Sequence, residues 1–293
     1  AGAILEDGPR HGNIHAAQTA PVACPMAVPA IDRARAVPTA MLIAILFAGG
    51  ALNGFAVRIM ESWRLNAGAE ILLGISPFEL IVLAIALDFI IRSRPEAIRL
   101  TVWAEVLLLI GLIIPSSTAS WASLAAYAAV MAWRGHGAFR LGALLILGLA
   151  AAALWSAVGV NWVARLVTSS EASLVAALLR PLRPDIVHDG NLIGVRGAHE
   201  IVLIVACTTA NALPRVLLAV VAISAFVGGG RHRLLAPLCL IALAYGLANW
   251  IRLAAMAWSA ESYALVHGPV GANIFDLAQS VMVLAAGTWL GRR

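Results

Sequence analysis

The chain has 293 residues, 61% of them hydrophobic and 12% charged, with a formal net charge of +5. Soluble domains carry about 25% charged residues, so this composition excludes an ordinary water-soluble globule and makes lipid the expected solvent. The positive charge is not that of a nucleic-acid face, because all 20 basic residues are Arg and they gather in short joints between apolar runs, the positive-inside pattern of a membrane protein. A mean hydropathy of +0.91 agrees. The expected fold class is therefore an all-α, polytopic integral membrane bundle. Arg without Lys, beside abundant Ala and Gly, points to a GC-rich bacterial genome.

Residues 1–37 are rich in Ala, Pro, Gly and His and lack helical periodicity, which predicts a disordered tail rather than a signal peptide. From Pro38 onward, 38–293 reads as one membrane domain. About eight spans are expected, near 38–59, 70–91, 99–115, 118–133, 141–160, 200–229, 234–258 and 270–290. A membrane helix needs about 20 apolar residues. Basic joints follow the second, fourth, sixth and eighth spans: Arg92 to Arg99, Arg134 to Arg140, Arg231 to Arg233, and Arg292-Arg293. Arg33 and Arg35 precede the first. All of these fall on one side if both termini are cytoplasmic.

The largest outer segment is 161–199. The apolar pairs around Asp189-Gly190 predict a β-hairpin, since Gly tolerates the positive φ of a tight turn. Residues 165–180 before it read as an amphipathic helix on the outer leaflet. His199-Glu200 reads as the solvated start of the sixth span. Trp63, Trp121, Trp162 and Trp258 near span ends fit an interfacial aromatic belt.

Cys24, Cys207 and Cys239 form no C-x-x-C pair and, with the His and acidic residues, no metal-ligand spacing, so no metal is expected; with no organic-cofactor motif visible, no organic cofactor is expected either. Counting about 20 residues back from the cytoplasmic ends of the last three spans puts the outer boundary beside Cys207, Arg252 and His267. A buried thiol is inert, because burial disfavours the thiolate. A His to take its proton and a guanidinium nearby offset that. Arg stays protonated and so holds charge rather than moving protons. Each residue alone has a plainer reading. Cys207 could be a small core side chain; Cys239, without polar neighbours, is read that way. Arg252 could snorkel to the headgroups, and His267 could be a loop residue.

The blocks Asp189-Gly190-Asn191-Leu192-Ile193, Ile204-Val205-Ala206-Cys207, Asn249-Trp250-Ile251-Arg252 and His267-Gly268-Pro269-Val270-Gly271 resemble the exosortase/archaeosortase family. Its members are multi-span membrane enzymes with A-C-S-G, N-x-x-R and H-x-x-x-G blocks in that order. The matching region is about 185–275. The resemblance implies a cysteine transpeptidase with Cys207 as nucleophile, Arg252 as charge stabiliser and His267 as general acid/base. It also implies substrates: secreted proteins carrying a C-terminal motif, a membrane helix and a basic tail, passed to an acceptor nucleophile. The expected location is the bacterial cytoplasmic membrane, with the site facing outward. Thr208-Thr209 stands where the family has Ser-Gly, which keeps a hydroxyl at 208 and adds a β-branched side chain at 209.

Three further residues are candidates for support. Thr208 follows the nucleophile. Asn249 shares a helical face with Arg252 and either orients its guanidinium or makes an interhelical hydrogen bond. Asp276, an intramembrane carboxylate, is expected to pair with Arg252 or Arg215. Two rival readings remain: a membrane cysteine protease using water alone, and a transporter or assembly subunit in which Thr208, Thr209 and Asn211 line a path.

Overall fold

The computed structural model describes residues 30–64, 75–93, 102–228 and 235–292. It is helical apart from one small sheet. α1 is Ala30–Arg64, α2 Pro77–Arg92, α3 Val102–Ile113 and α4 Ser117–Arg134. α5 (Gly137–Leu154) runs through a π-helical turn, Trp155–Gly159, into the short α6 (Val160–Trp162). α7 is Ala164–Leu179, and strands β1 (Ile186–Asp189), β2 (Leu192–Val195) and β3 (His199–Val202) follow. A 3-10 turn, Val205–Cys207, leads into α8 (Thr209–Val227), α9 (Leu235–Trp258), α10 (Ala260–His267) and α11 (Pro269–Arg292).

Local sequence explains several boundaries. Ser76 caps α2 in a capping box with Glu79, and Pro77 occupies the first turn, where its missing N–H costs nothing. Ser116 caps α4 and Ser259 caps α10. Gly228, at φ 117°, ends α8 in a conformation that other residues resist.

Five helical segments are long and apolar enough to cross a membrane: Ala40–Met60, Gly137–Trp162, Thr209–Val227, Leu235–Trp258 and Val270–Arg292. The chain is thus an all-α protein of membrane type. The expected count of eight is not reached among the described residues. α2, α3 and α4 have 16, 12 and 18 residues. At 1.5 Å per residue, 12 residues reach only about 18 Å against a hydrocarbon core of about 30 Å. Residues 70–74 and 99–101 of those expected spans lie outside the described residues, as do 1–29 of the expected tail and the basic residues Arg94, Arg99, Arg231 to Arg233 and Arg293. Residues 30–37, expected in the tail, belong to α1; between Ala30 and Val37 there is no glycine or proline to oppose a helix.

Two cores hold the molecule. The larger lies among α1, α2, α4, α5, α8 and the far half of α11, around Phe47, Phe55, Trp121, Tyr127, Ile146 and Val220. Trp121 is therefore not in an aromatic belt: it is buried edge-on against Phe55 at 5.1 Å. A Cβ at Gly54 would lie 2.7 Å from its ring. Trp162 and Trp258 do reach the surface, whereas the Trp63 side chain lies outside the described set.

The smaller core joins α7, the sheet, the end of α9 and Val266 of α10. The sheet is antiparallel in the order β1-β2-β3, with Ile186 opposite Val195 and Leu192 opposite Val202. The expected hairpin is its first two strands, with Gly190 at φ 58° in the turn. The helix expected over 165–180 is α7, and it covers this core with Thr168, Glu171, Ala172, Val175, Ala176 and Leu179. The start of the expected sixth span differs. His199-Glu200 opens β3, and the helix begins only at Thr209. Ile201 and Leu203 are buried while Glu200, Val202 and Ile204 are exposed, a period of two that belongs to a strand.

Candidate active site

Cys207 ends the 3-10 turn, two residues before α8. Its N–H donates to the Ile204 carbonyl at 3.0 Å. The first turn of α8 is tied from three sides. From α9, the Asn249 side-chain amide donates to the Cys207 carbonyl at 3.0 Å and to the Thr209 hydroxyl at 3.2 Å. From α7, the Glu171 carboxylate accepts the Thr209 N–H at 2.8 Å and the Ala210 N–H at 3.4 Å. From the π-helical turn, the Trp155 indole donates to the Ala210 carbonyl at 2.8 Å and the Ser156 hydroxyl to the Asn211 side-chain oxygen at 2.6 Å. A π turn swings side chains out of the α-helical register and is common at functional sites; here it aims two donors at the residues after Cys207.

Both threonines are buried. The Thr208 hydroxyl donates back to the Val205 carbonyl at 2.7 Å, so it does not cap α8, and Glu171 takes that role. The Thr209 methyl sits 3.6 Å from where a Cβ on Gly246 would lie. Glycine on α9 thus accommodates the added side chain.

Arg252 is half-buried one turn beyond Asn249 on α9. Its guanidinium lies over the Phe275 ring at 5.8 Å from the centroid, and its Nε is buried without a hydrogen-bond partner. Asn249 therefore makes the interhelical bond and does not orient the guanidinium. Burial pushes the Cys207 thiol above its ordinary pKa, the Arg252 charge pulls it down, and the Glu171 carboxylate raises it further.

His267 ends α10 and is exposed. Its ring stacks, tilted, on Tyr263 at 5.0 Å, and Tyr263 meets His199 edge-on at 5.9 Å. No hydrogen bond joins His267 to Cys207 among the described residues. The two are brought to the same end of the bundle, with Tyr263 and Cys207 packed on the same small core. A Cβ on Gly271 would lie 2.8 Å from the Val266 Cα. The glycine of the H-x-x-x-G block thus lets α11 start against α10 and fixes where His267 stands.

Asp276 is exposed and in no ion pair among the described residues. The expected pairing with Arg252 or Arg215 is not formed among the described residues: Arg252 lies over Phe275, and the ion pair of Arg215 is with Glu79. Arg215 instead approaches Glu79 at 3.8 Å, and Arg58 holds Glu79 with two hydrogen bonds of 3.2 and 2.7 Å. A fully buried carboxylate needs such partners.

Sequence reasoning missed Glu171, His199 and Arg183. A ring nitrogen of His199 lies 2.9 Å from the Met256 carbonyl, and Arg183 donates to the Trp258 carbonyl. Together they bind the last carbonyls of α9, which an isolated helix leaves unpaired. One signal was available for Glu171. It shares the heptad face of Thr168, Ala172 and Val175, where an amphipathic helix turns inward.

Among the described residues no three His, Cys, Asp or Glu side chains gather to hold a metal ion. No protein-family model matches the chain, and no curated protein or solved structure matches it either.

Proposed function

We propose that the chain is a membrane-embedded cysteine transpeptidase of exosortase/archaeosortase type, acting at the outer face of a bacterial cytoplasmic membrane, with eight spans and both termini inside. The observation that carries this reading is the direct link between two of the sequence blocks. Asn249 of the N-x-x-R block holds the Cys207 carbonyl, and Arg252 of the same block acts electrostatically on the Cys207 thiol.

In the proposed cycle, Cys207 gives its proton to His267 and its sulfur attacks a backbone carbonyl of the sorting signal. The C–N bond breaks, and the amine leaves with a proton delivered by His267. Arg252, with an unused Nε–H in a low-dielectric setting, stabilises the oxyanion. An acceptor nucleophile then attacks the thioester carbonyl, releasing Cys207 and the secreted protein. His267 does not touch Cys207 in this resting state; catalytic hydrogen bonds commonly tighten only when substrate is bound.

The test is Cys207→Ala in the intact chain. Uncleaved precursor with its membrane helix should accumulate, while Cys239→Ala processes normally. Processing by Cys207→Ala would end the thiol mechanism. The mass of the released protein separates transpeptidation, which adds an acceptor, from hydrolysis, which adds only water.

A further inference from the structure

Glu171 is the strongest unexplained group near the thiol. The residue is buried, at 8% exposure, in a helix that otherwise turns Ala172, Val175 and Ala176 to the same core. A carboxylate there must be desolvated, which is costly unless it is hydrogen-bonded. Its partners are backbone amides of the segment that begins two residues after Cys207. Both its oxygens reach the Thr209 N–H, at 2.8 and 3.1 Å, and one reaches the Ala210 N–H at 3.4 Å.

The placement has two consequences. The first is mechanical. Thr208, at the N-cap, makes no side-chain cap bond, so the opening amides of α8 rely on α7. The second is electrostatic. The N-terminus of a helix carries about half a positive charge, which favours a nearby anion and lowers the pKa of a thiol beside it. A carboxylate seated on those amides cancels that help. The charged group opposing it from α9 is Arg252. To the core beneath α7 the strands contribute the apolar side chains of Ile186, Ile193 and Ile201, with Val195 packed against them.

We propose that Glu171 is the positioning residue of the thiol, anchoring the start of α8 so that Cys207 is held in place, and a brake whose charge adds to burial in opposing the thiolate. This rests on the reading of Cys207 as the nucleophile. The brake explains how a cysteine enzyme can wait without consuming its thiol in side reactions. Arg252 and His267 must then act together with a bound substrate to overcome it.

The experiment follows alkylation of Cys207 by a small neutral electrophile across pH. It uses the full-length chain in detergent, in a Cys24→Ala, Cys239→Ala background. Glu171→Gln keeps an acceptor for the Thr209 N–H and removes the charge. The midpoint should move to lower pH, and alkylation at pH 7 should rise about three- to tenfold, since one pH unit is tenfold in thiolate. An unmoved or raised midpoint in a variant that melts like the parent would overturn the proposal. If Glu171→Gln does not accumulate, Glu171→Asp carries the test. It keeps the charge and shortens the reach, so the midpoint should hold while processing slows; a lowered midpoint would overturn the brake. Alkylation is read without substrate. A failure of the transpeptidase reading, seen as processing by Cys207→Ala, is therefore distinct from a failure here.

Discussion

The side-chain amide of Asn249 bridges the carbonyl of Cys207 and the hydroxyl of Thr209, at 3.0 and 3.2 Å. One residue of α9 thus ties the backbone before Thr208 and the side chain after it, with Thr208 itself buried at 1% exposure. Amide donors are needed for both bonds. Asn249→Ala should remove the donor to the Cys207 carbonyl and to the Thr209 hydroxyl, at about 1–3 kcal/mol, and slow processing. Asn249→Asp should be no better, because a carboxylate has no donor. Melting in detergent together with processing rate checks this. Wild-type behaviour of Asn249→Asp would remove the bridge from the site.

Gly271 supports a steric prediction. A Cβ there would meet backbone atoms of α10, with the Val266 Cα at 2.8 Å, and backbone cannot rotate aside. Gly271→Ala should force α10 away from α11, destabilise by about 1–3 kcal/mol as overpacking does, and impair processing through His267. Gly49→Ala, where a Cβ meets nothing within 4 Å, is the control and should process normally. Equal rates for the two variants would detach Gly271 from the placement of His267.

The parts of this arrangement that were legible in the sequence are those carried by local pattern. The turn at Asp189-Gly190 announces itself through a residue that accepts positive φ, and Ala164–Leu179 through its 3.6 period. The ordered blocks around Cys207, Arg252 and His267 are visible because each is a short run of particular residue types at a fixed spacing. What was not legible depends on pairing between distant segments. Ile201 and Leu203 look like the start of an apolar helix until β2 is there to pair with β3. Glu171 looks like a solvated charge until α8 supplies its amides, and Trp121 like a belt residue until Gly54 makes room for it. Asp276 looks as if it needs a partner, but of the two expected for it Arg215 is engaged by Glu79 and Arg252 lies over Phe275.

The thiol itself gives a pH prediction. Burial, foremost, puts the Cys207 pKa above its ordinary value, with Glu171 adding to the rise and Arg252 opposing it. Alkylation of the resting protein should therefore climb about tenfold per pH unit from 7 to 9 without a plateau. For stability the sign follows from the raised folded value. The contribution is fully present below the unfolded thiol pKa of about 8.5 and is lost as pH rises through the folded one. Cys207→Ala should lose that part of the alkaline destabilisation. A plateau in alkylation below pH 8 would contradict the burial of the thiol.

Arg252 separates the two remaining accounts of the site. A snorkelling Arg extends its guanidinium to the headgroups. Here it lies over Phe275 with Nε buried and unpartnered, an inward position. If it stabilises developing charge, Arg252→Lys should rescue little, because Lys keeps the charge but loses the planar fork. Loss of such a donor costs about 100–1000-fold in rate. The same variant should leave the Cys207 alkylation midpoint near the parent value, since the positive charge remains. Arg252→Gln removes that charge and should raise the midpoint. Single-turnover processing of a sorting-signal peptide, read beside alkylation, distinguishes the roles. A slow Arg252→Lys with a parental midpoint assigns the guanidinium to the transition state. Near-parental turnover by Arg252→Lys would make Arg252 an anchor to the membrane surface and take it out of the catalytic set.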